Sequence, residues 1–330
     1  MKFKADPKHR GWLLRGTSAV AAALLLASCG GGTQVDHFTP GRLLAFGDES
    51  SVITSTGAKY SINGYNVDAN NAPTTINCNV NPIWIQFVSG IYNLVFAGCN
   101  TDGATPTART LAQPNATVGD VTDQITQFSS GDSISGRDMV TLQAGANDIV
   151  GLYKQFPGLD ANALQSAAWN AGNALGAQVI RLTDLGAKVI VATAPDMGLS
   201  PFAAKEEAAN PGRAAFLTAL SFQFNAALRL KLEEVKNGGK SVGLVVFDER
   251  LQDMARNYPN YGLVSTNVAA CTDAAVLPNC STTTLKKVPD SGSVDATSSN
   301  FLWADDLHFG PTAHYQLGSM AASRANNNPF

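Results

Sequence analysis

Three short blocks of this 330-residue chain hold side chains able to move a proton or steady a negative charge. Phe46-Gly47-Asp48-Glu49-Ser50-Ser51 offers carboxylates and hydroxyls, and Gly145-Ala146-Asn147-Asp148 offers a side-chain amide. Asp305-Asp306-Leu307-His308 sets a histidine three residues after an acid. A hydroxyl, an imidazole, an acid and an amide are the groups that nucleophilic acyl transfer uses. Each block alone says little. G-x-N-D is a common loop composition, D-x-x-H arises readily by chance, and acidic residues also suit a helix N-terminus.

Whether the blocks meet depends on the elements that carry them. Residues 42–46 (RLLAF), 138–144, 187–194 and 242–247 are short apolar runs, the pattern of strands buried on both faces. Between them, 162–185 is rich in Ala and Leu and stops before Gly186, a C-terminal cap. Residues 212–236 set Phe216, Leu220, Phe222, Phe224, Leu228 and Leu232 in a pattern compatible with a packed helix, and 313–324 reads as a terminal helix. Strands alternating with helices predict one three-layer α/β/α domain with a mainly parallel sheet. Ligands of such sheets sit beyond the carboxyl ends of the strands, here 47–51, 145–148 and 195–201. Residues 60–115 and 260–300, rich in Asn, Thr and Ser, are expected to be loop-heavy. No repeat of fixed period is present.

In this order and at these places, the three blocks resemble those of the SGNH/GDSL hydrolase family, over roughly residues 41–325. Smaller echoes are Ala194-Pro195-Asp196-Met197-Gly198 and Tyr258-Pro259-Asn260-Tyr261-Gly262. The resemblance implies the SGNH, flavodoxin-like form of the fold and a lipase or esterase with a serine nucleophile and no cofactor. It implies His308 as the base and Asn147 as a donor to the developing oxyanion. Asp305 fits the D-x-x-H spacing better than Asp306, and would fix the imidazole tautomer and stabilise imidazolium.

The chain departs from that pattern twice. Where the family has Gly-Asp-Ser, it reads Gly47-Asp48-Glu49, so Glu49 takes the nucleophile slot. A carboxylate attacking an ester would give an unfavourable anhydride, and its charge would repel an oxyanion. Beside His308 it would favour imidazolium, which cannot act as a base. Two routes would keep hydrolysis: a one-residue slip that brings Ser50 to His308, or activation of water by Glu49. The second departure is Gln113-Pro114-Asn115-Ala116-Thr117, where related enzymes have Gly-Ala-Thr and the glycine N–H completes the oxyanion hole. Asn115 fills that slot, and Asn tolerates positive φ better than other non-glycine residues. A literal Gly131-Asp132-Ser133-Ile134 stands in a polar loop leading into a strand, the wrong place for a nucleophile.

The N-terminus carries Lys2, Lys4, Lys8, Arg10 and Arg15 against Asp6, followed by an apolar run over 19–27. That run is shorter than a membrane span, and the pattern is that of a secretory signal peptide. Its end, Leu26-Ala27-Ser28-Cys29, resembles the bacterial lipobox, which implies a lipidated Cys29. Gly30 after the cysteine favours the outer membrane. The expected organisation is a lipoprotein signal over 1–28, a lipidated tether over 29–40 containing His37, and the hydrolase-like domain over 41–330. Loss of 1–28 changes the net charge from −3 to −7, with 18 basic against 25 acidic residues. Neither value suits bulk-electrostatic binding of nucleic acid or anionic headgroups, so membrane attachment would fall to the lipid.

Export places Cys78, Cys99, Cys271 and Cys280 where disulfides persist. Local pairing, Cys78–Cys99 and Cys271–Cys280, is preferred over the two crossed arrangements. The spacings do not suit a zinc site, and no phosphate loop, dinucleotide fingerprint or metal-ligand cluster is present. His314 is expected on the last helix as a structural or surface residue. Two functions follow: an envelope-anchored ester hydrolase using Ser50, or a catalytically inactive binding lipoprotein in which Glu49 pairs with His308.

Overall fold

Leu43, Leu44, Ala45 and Phe46 are all without solvent exposure, which only a central strand covered on both faces allows. In the computed structural model, which describes residues 38–240 and 242–327, this strand is β1 (Arg42–Gly47). It is followed by β2 (Gly64–Val67), β3 (Pro73–Asn77), α1 (Trp84–Gly90), β4 (Ala108–Thr110) and α2 (Val118–Gly131). Next come β5 (Asp138–Gln143), α3 (Ala146–Tyr153), α4 (Ala161–Asp184), β6 (Lys188–Ala192), α5 (Pro201–Ala209) and α6 (Arg213–Asn237). The chain continues through β7 (Val242–Val245), α7 (Phe247–Arg256), β8 (Ser265–Ala269), β9 (Phe301–Trp303) and α8 (Pro311–Asn327).

The main sheet has the order β4-β1-β5-β6-β7, and every neighbouring pair is parallel. Counting only its own strands, this is the 2-1-3-4-5 order of a flavodoxin-like sheet, whose switch point lies between the first and third strands. Those strands are β1 and β5, and they end level, Gly47 opposite Gln143. Side chains alternate between faces as the strand period requires. Leu44, Phe46, Val140, Leu142, Val189 and Val191 share one core with α2, α3, α4 and α6. Leu43, Ala45, Met139, Ile190 and Val245 share the other with α1, α7 and α8. The expected three-layer α/β/α architecture is therefore present.

The boundaries shift in instructive ways. Phe247 continues the apolar run of β7 in sequence but opens α7, packing edge-on to Phe309 at 5.1 Å. The stretch expected to be loop-heavy, 60–115, contributes α1 and the sheet-edge strand β4. Residues 260–300 contribute to a small third core, in which Ala270 and Leu277 pack with Ile62 and Phe301 around Cys271 and Cys280. Disulfides join Cys78 to Cys99 and Cys271 to Cys280, the local pairing. The segment expected to be a signal peptide, with Cys29 and His37, lies outside the described residues. Among the described residues, no helix is long and apolar enough to cross a membrane.

Candidate active site

The first two blocks leave their strands through backbone turns that favour glycine. Gly47 has φ +139°, and a Cβ there would lie 2.0 Å from the Gln143 carbonyl oxygen. The chain then turns through one 3-10 turn, Glu49–Ser51, capped by Asp48. Asp48 Oδ1 accepts from the Ser50 backbone N–H at 3.1 Å and from the Ser50 hydroxyl at 2.6 Å. At the end of β5, Gly145 has φ +122°, and a Cβ would meet the Phe224 ring at 2.6 Å. This turn starts α3 and sets Asn147 in its first turn.

The third wall comes from the loop before α2. Thr117 and Asp120 form a reciprocal capping box at the start of that helix, anchoring the loop that carries Asn115. Asn115 sits at φ +60°, the left-handed conformation that a glycine would otherwise supply. Its backbone N–H donates to Glu49 Oε1. The Asn147 Nδ2 amide donates to Glu49 Oε2 at 2.9 Å and to the Ala116 carbonyl at 3.0 Å. Glu49, 5% exposed, thus holds both amide donors with its two carboxylate oxygens.

His308 closes the site from the loop between β9 and α8. Its Nδ1 lies 2.8 Å from both oxygens of Asp305, whose Oδ1 also accepts from the His308 and Leu307 backbone N–H groups at 2.7 and 2.9 Å. One carboxylate therefore folds the loop and orients the ring. Asp306 points elsewhere and pairs with Lys205 at 2.6 Å. The other imidazole nitrogen, Nε2, faces Glu49 Oε1 at 3.9 Å.

The structure thus brings Glu49, Asn115, Asn147, Asp305 and His308 together, but not Ser50 to His308. The amide and the hydroxyl of Ser50 both donate to Asp48 Oδ1, so in this arrangement the hydroxyl is turned to Asp48 and not to His308. The Gly131-Asp132-Ser133 segment lies at the opposite end of β1, where Asp132 pairs with Arg42 at 2.6 Å. His314 lies on α8 and is buried, which removes the surface alternative; its ring stands edge-on to Phe309 at 5.6 Å.

Electrostatics follow from this packing. Burial works against the His308 imidazolium, yet Asp305 and then Glu49 outweigh it, and His308 is pushed up to about 10. Burial likewise opposes the Glu49 carboxylate, but His308, its own turn and Asn147 hold it below the usual range. Asp48, buried and next to Glu49, is pushed up to about 7. The site is a carboxylate–imidazolium–carboxylate arrangement at neutral pH.

A pocket of about 430 Å³, its open mouth included, lies over these groups. Tyr60, Val150, Met197, Leu307 and Phe309 line it with apolar surface, and Ser50 lines it too. Tyr60, 6.1 Å from the His308 ring, had no signal in the sequence because it comes from a stretch without periodicity. Among the described residues, no cluster of His, Cys, Asp and Glu could hold a metal ion.

Residues 39–319 match the family model of the GDSL-like lipase/acylhydrolases. No curated protein matches the chain. Among solved structures, it is similar to an acetylxylan esterase from Geobacillus stearothermophilus at 14% identity, covering 88% of this chain and 96% of that one, with a TM-score of 0.42. It is also similar to phospholipase A1 from Streptomyces albidoflavus NA297, at 12% identity, 87% and 99% coverage and a TM-score of 0.43. A lipolytic protein of the G-D-S-L family from Veillonella parvula DSM 2008 is similar at 10% identity, 86% and 96% coverage and a TM-score of 0.42.

Proposed function

Because the chain belongs to the GDSL-like lipase/acylhydrolase family, we propose that it keeps the family's ester pocket as a binding site and has lost serine acyl transfer. The observation that carries this is Glu49, whose carboxylate occupies both the Asn115 N–H and the Asn147 amide. Acyl transfer requires those donors to be free for the oxyanion that forms when a carbonyl is attacked. It also requires a base. With His308 pushed up to about 10, the ring is protonated at neutral pH and has no lone pair to take a proton. Activation of water by Glu49 meets the same obstacle, since the carboxylate that would act as base already fills the hole the oxyanion needs.

What the residues do instead is bind. The apolar wall receives an acyl or ester-bearing small molecule, and the Glu49–His308 pair with Asn147 presents a polar floor. Anchoring of the protein at the outer membrane through Cys29 is part of the same proposal. The basic, then apolar N-terminus and the lipobox-like Leu26-Ala27-Ser28-Cys29 support it, as do two disulfides suited to an oxidising compartment.

Hydrolysis through Ser50 is a second reading, favoured by the intact Asp305–His308 pair and by Ser50 lining the pocket. One experiment separates the two. The native chain and Glu49→Ser and Ser50→Ala variants are incubated with a fluorophosphonate probe and with p-nitrophenyl acetate. The binding function predicts an inert native chain and labelling gained by Glu49→Ser. Native hydrolysis and labelling that Ser50→Ala abolishes would overturn it in favour of the second. For the anchor, incorporation of a palmitate analogue should be lost in Cys29→Ser.

A further inference from the structure

On α4, Asn162, Gln165, Ser166, Trp169 and Asn170 stand at relative positions 0, 3, 4, 7 and 8, so they share one helical face. Gln223 of α6 faces them across an open groove of about 740 Å³. None of the six is charged. None of their four amide side chains, nor the Trp169 indole N–H, hydrogen-bonds to another described residue. Trp169 is half-buried, whereas Trp84 and Trp303 have no exposure at all.

The two helices that form the groove are closely packed. Gly172 and Gly176 let α4 and α6 approach so closely that a Cβ at Gly172 would lie 2.0 Å from the Phe224 carbonyl oxygen. A Cβ at Gly176 would lie 2.6 Å from Lys231 Cβ. The backbones that carry Gln223 and Trp169 are thereby held together, so no helix movement is needed for a ligand to reach both.

We propose that this groove binds a neutral carbohydrate chain. A sugar ring offers an apolar C–H face to an indole and a rim of hydroxyls that both donate and accept. Free Asn and Gln amides, which also do both, are the matching partners. The absence of charge argues against phosphates, nucleic acid and acidic peptides, which need cations. The groove is formed by α4 and α6 and shares no lining residue with the Glu49 pocket, so its test is independent of the proposed function.

The purified full chain is titrated with cellohexaose, xylohexaose and maltohexaose, and with an anionic oligogalacturonate and a neutral Gly/Ala peptide as controls. Binding is read by acrylamide quenching of tryptophan fluorescence and by side-chain amide NMR shifts. At least one neutral hexasaccharide should bind, shield Trp169 from quencher and lose affinity at least about tenfold in Trp169→Ala. Should that variant not fold, a Gln165→Ala/Asn170→Ala double variant, both positions being on the helix surface, should show the same loss. No binding by any neutral sugar, equal binding by the variants, or preference for the peptide or the anionic sugar overturns the proposal.

Discussion

Glu49 Oε2 accepts the Asn147 Nδ2–H at 2.9 Å, across the gap between the ends of β1 and β5. The relationship inverts the usual use of such a site. Under the proposed function, an amide placed to stabilise charge that appears during reaction instead holds the Glu49 carboxylate, and a residue of the chain itself plays the part of the bound anion.

If the carboxylate is an internal anion, removing it should leave a site for an external one. Glu49→Ala keeps the Asn115 N–H, Asn147 and an imidazolium at His308, and acetate should therefore bind it. Its Tm should rise with acetate concentration, as ligand linkage requires, while the native chain should not respond. A variant indifferent to acetate, with formate as a smaller second probe, would count against an anion site.

The charge on His308 should answer to Glu49. His308 is pushed up to about 10 by Asp305 and Glu49 acting against burial. The raised value means that its contribution to stability is complete below the ordinary 6.5 and is lost as pH rises towards about 10. Glu49→Gln removes one of the two supporting carboxylates, so the imidazole should titrate at lower pH, and the alkaline loss of stability, which still starts near 6.5, should be smaller and complete at lower pH. Imidazole NMR shifts followed from pH 5 to 11 test this; an unchanged midpoint would show that Asp305 alone holds the proton.

Gly145→Ala should disrupt the site without touching a polar group. The residue would need φ +122°, and its methyl would meet the Phe224 ring at 2.6 Å and Ala194 Cβ at 2.9 Å. Strain and clash together should cost about 2–4 kcal/mol. The turn that launches Asn147 should also shift, weakening its bond to Glu49. Urea unfolding measures the first effect and the His308 NMR midpoint the second. A variant within about 0.5 kcal/mol of native would mean the turn is softer than its contacts imply.

What could be read from the sequence followed from local pattern. Four apolar runs located β1, β5, β6 and β7, and the glycine-bounded blocks located the ends of β1 and β5, where the site stands. β4 was hidden because Ala108-Arg109-Thr110 has no apolar pattern; it is a strand only through its pairing with residues 43–45. The end of β7 was hidden because Val246 and Phe247 continue an apolar run that the backbone does not follow. At the site, sequence spacing identified Asp305 with His308, which are neighbours in the chain. It could not choose the partners of Glu49, because Asn115 and Asn147 are 66 and 98 residues away and meet it only through the tertiary fold.

The two disulfides should differ in worth through the loops they close. Cys78–Cys99 spans 21 residues and Cys271–Cys280 spans 9. Loop entropy in the unfolded chain makes each worth about 3 kcal/mol, with the longer loop about 0.7 kcal/mol ahead. Replacing each pair by Ala and comparing urea midpoints tests the order; a larger loss for the 271–280 pair would place its value in the small core it organises.

His314 offers the clearest acid dependence. Both of its ring nitrogens are buried without a hydrogen-bond partner among the described residues, and burial, with Lys59 and His308 nearby, lowers it to about 3. The unfolded ring takes up a proton near 6.5, while the folded one stays neutral down to about 3. Protons therefore bind the unfolded state more readily across that window, and stability must fall as pH falls from 6.5 to 3. His314→Leu has similar bulk and no titrating group, so it should remove this slope. At pH 7.5, where the native ring is neutral but unpaired, the substitution should gain about 1 kcal/mol by eliminating unsatisfied polar atoms, offset partly by the lost ring contact with Phe309. The decisive quantity is the difference in unfolding free energy between variant and native chain, followed from pH 7.5 to 4. It should be flat above 6.5 and widen steadily below it in favour of leucine. A constant difference across the whole range would show that the ring already meets a proton donor or acceptor in solution, and that its burial is not what keeps it neutral.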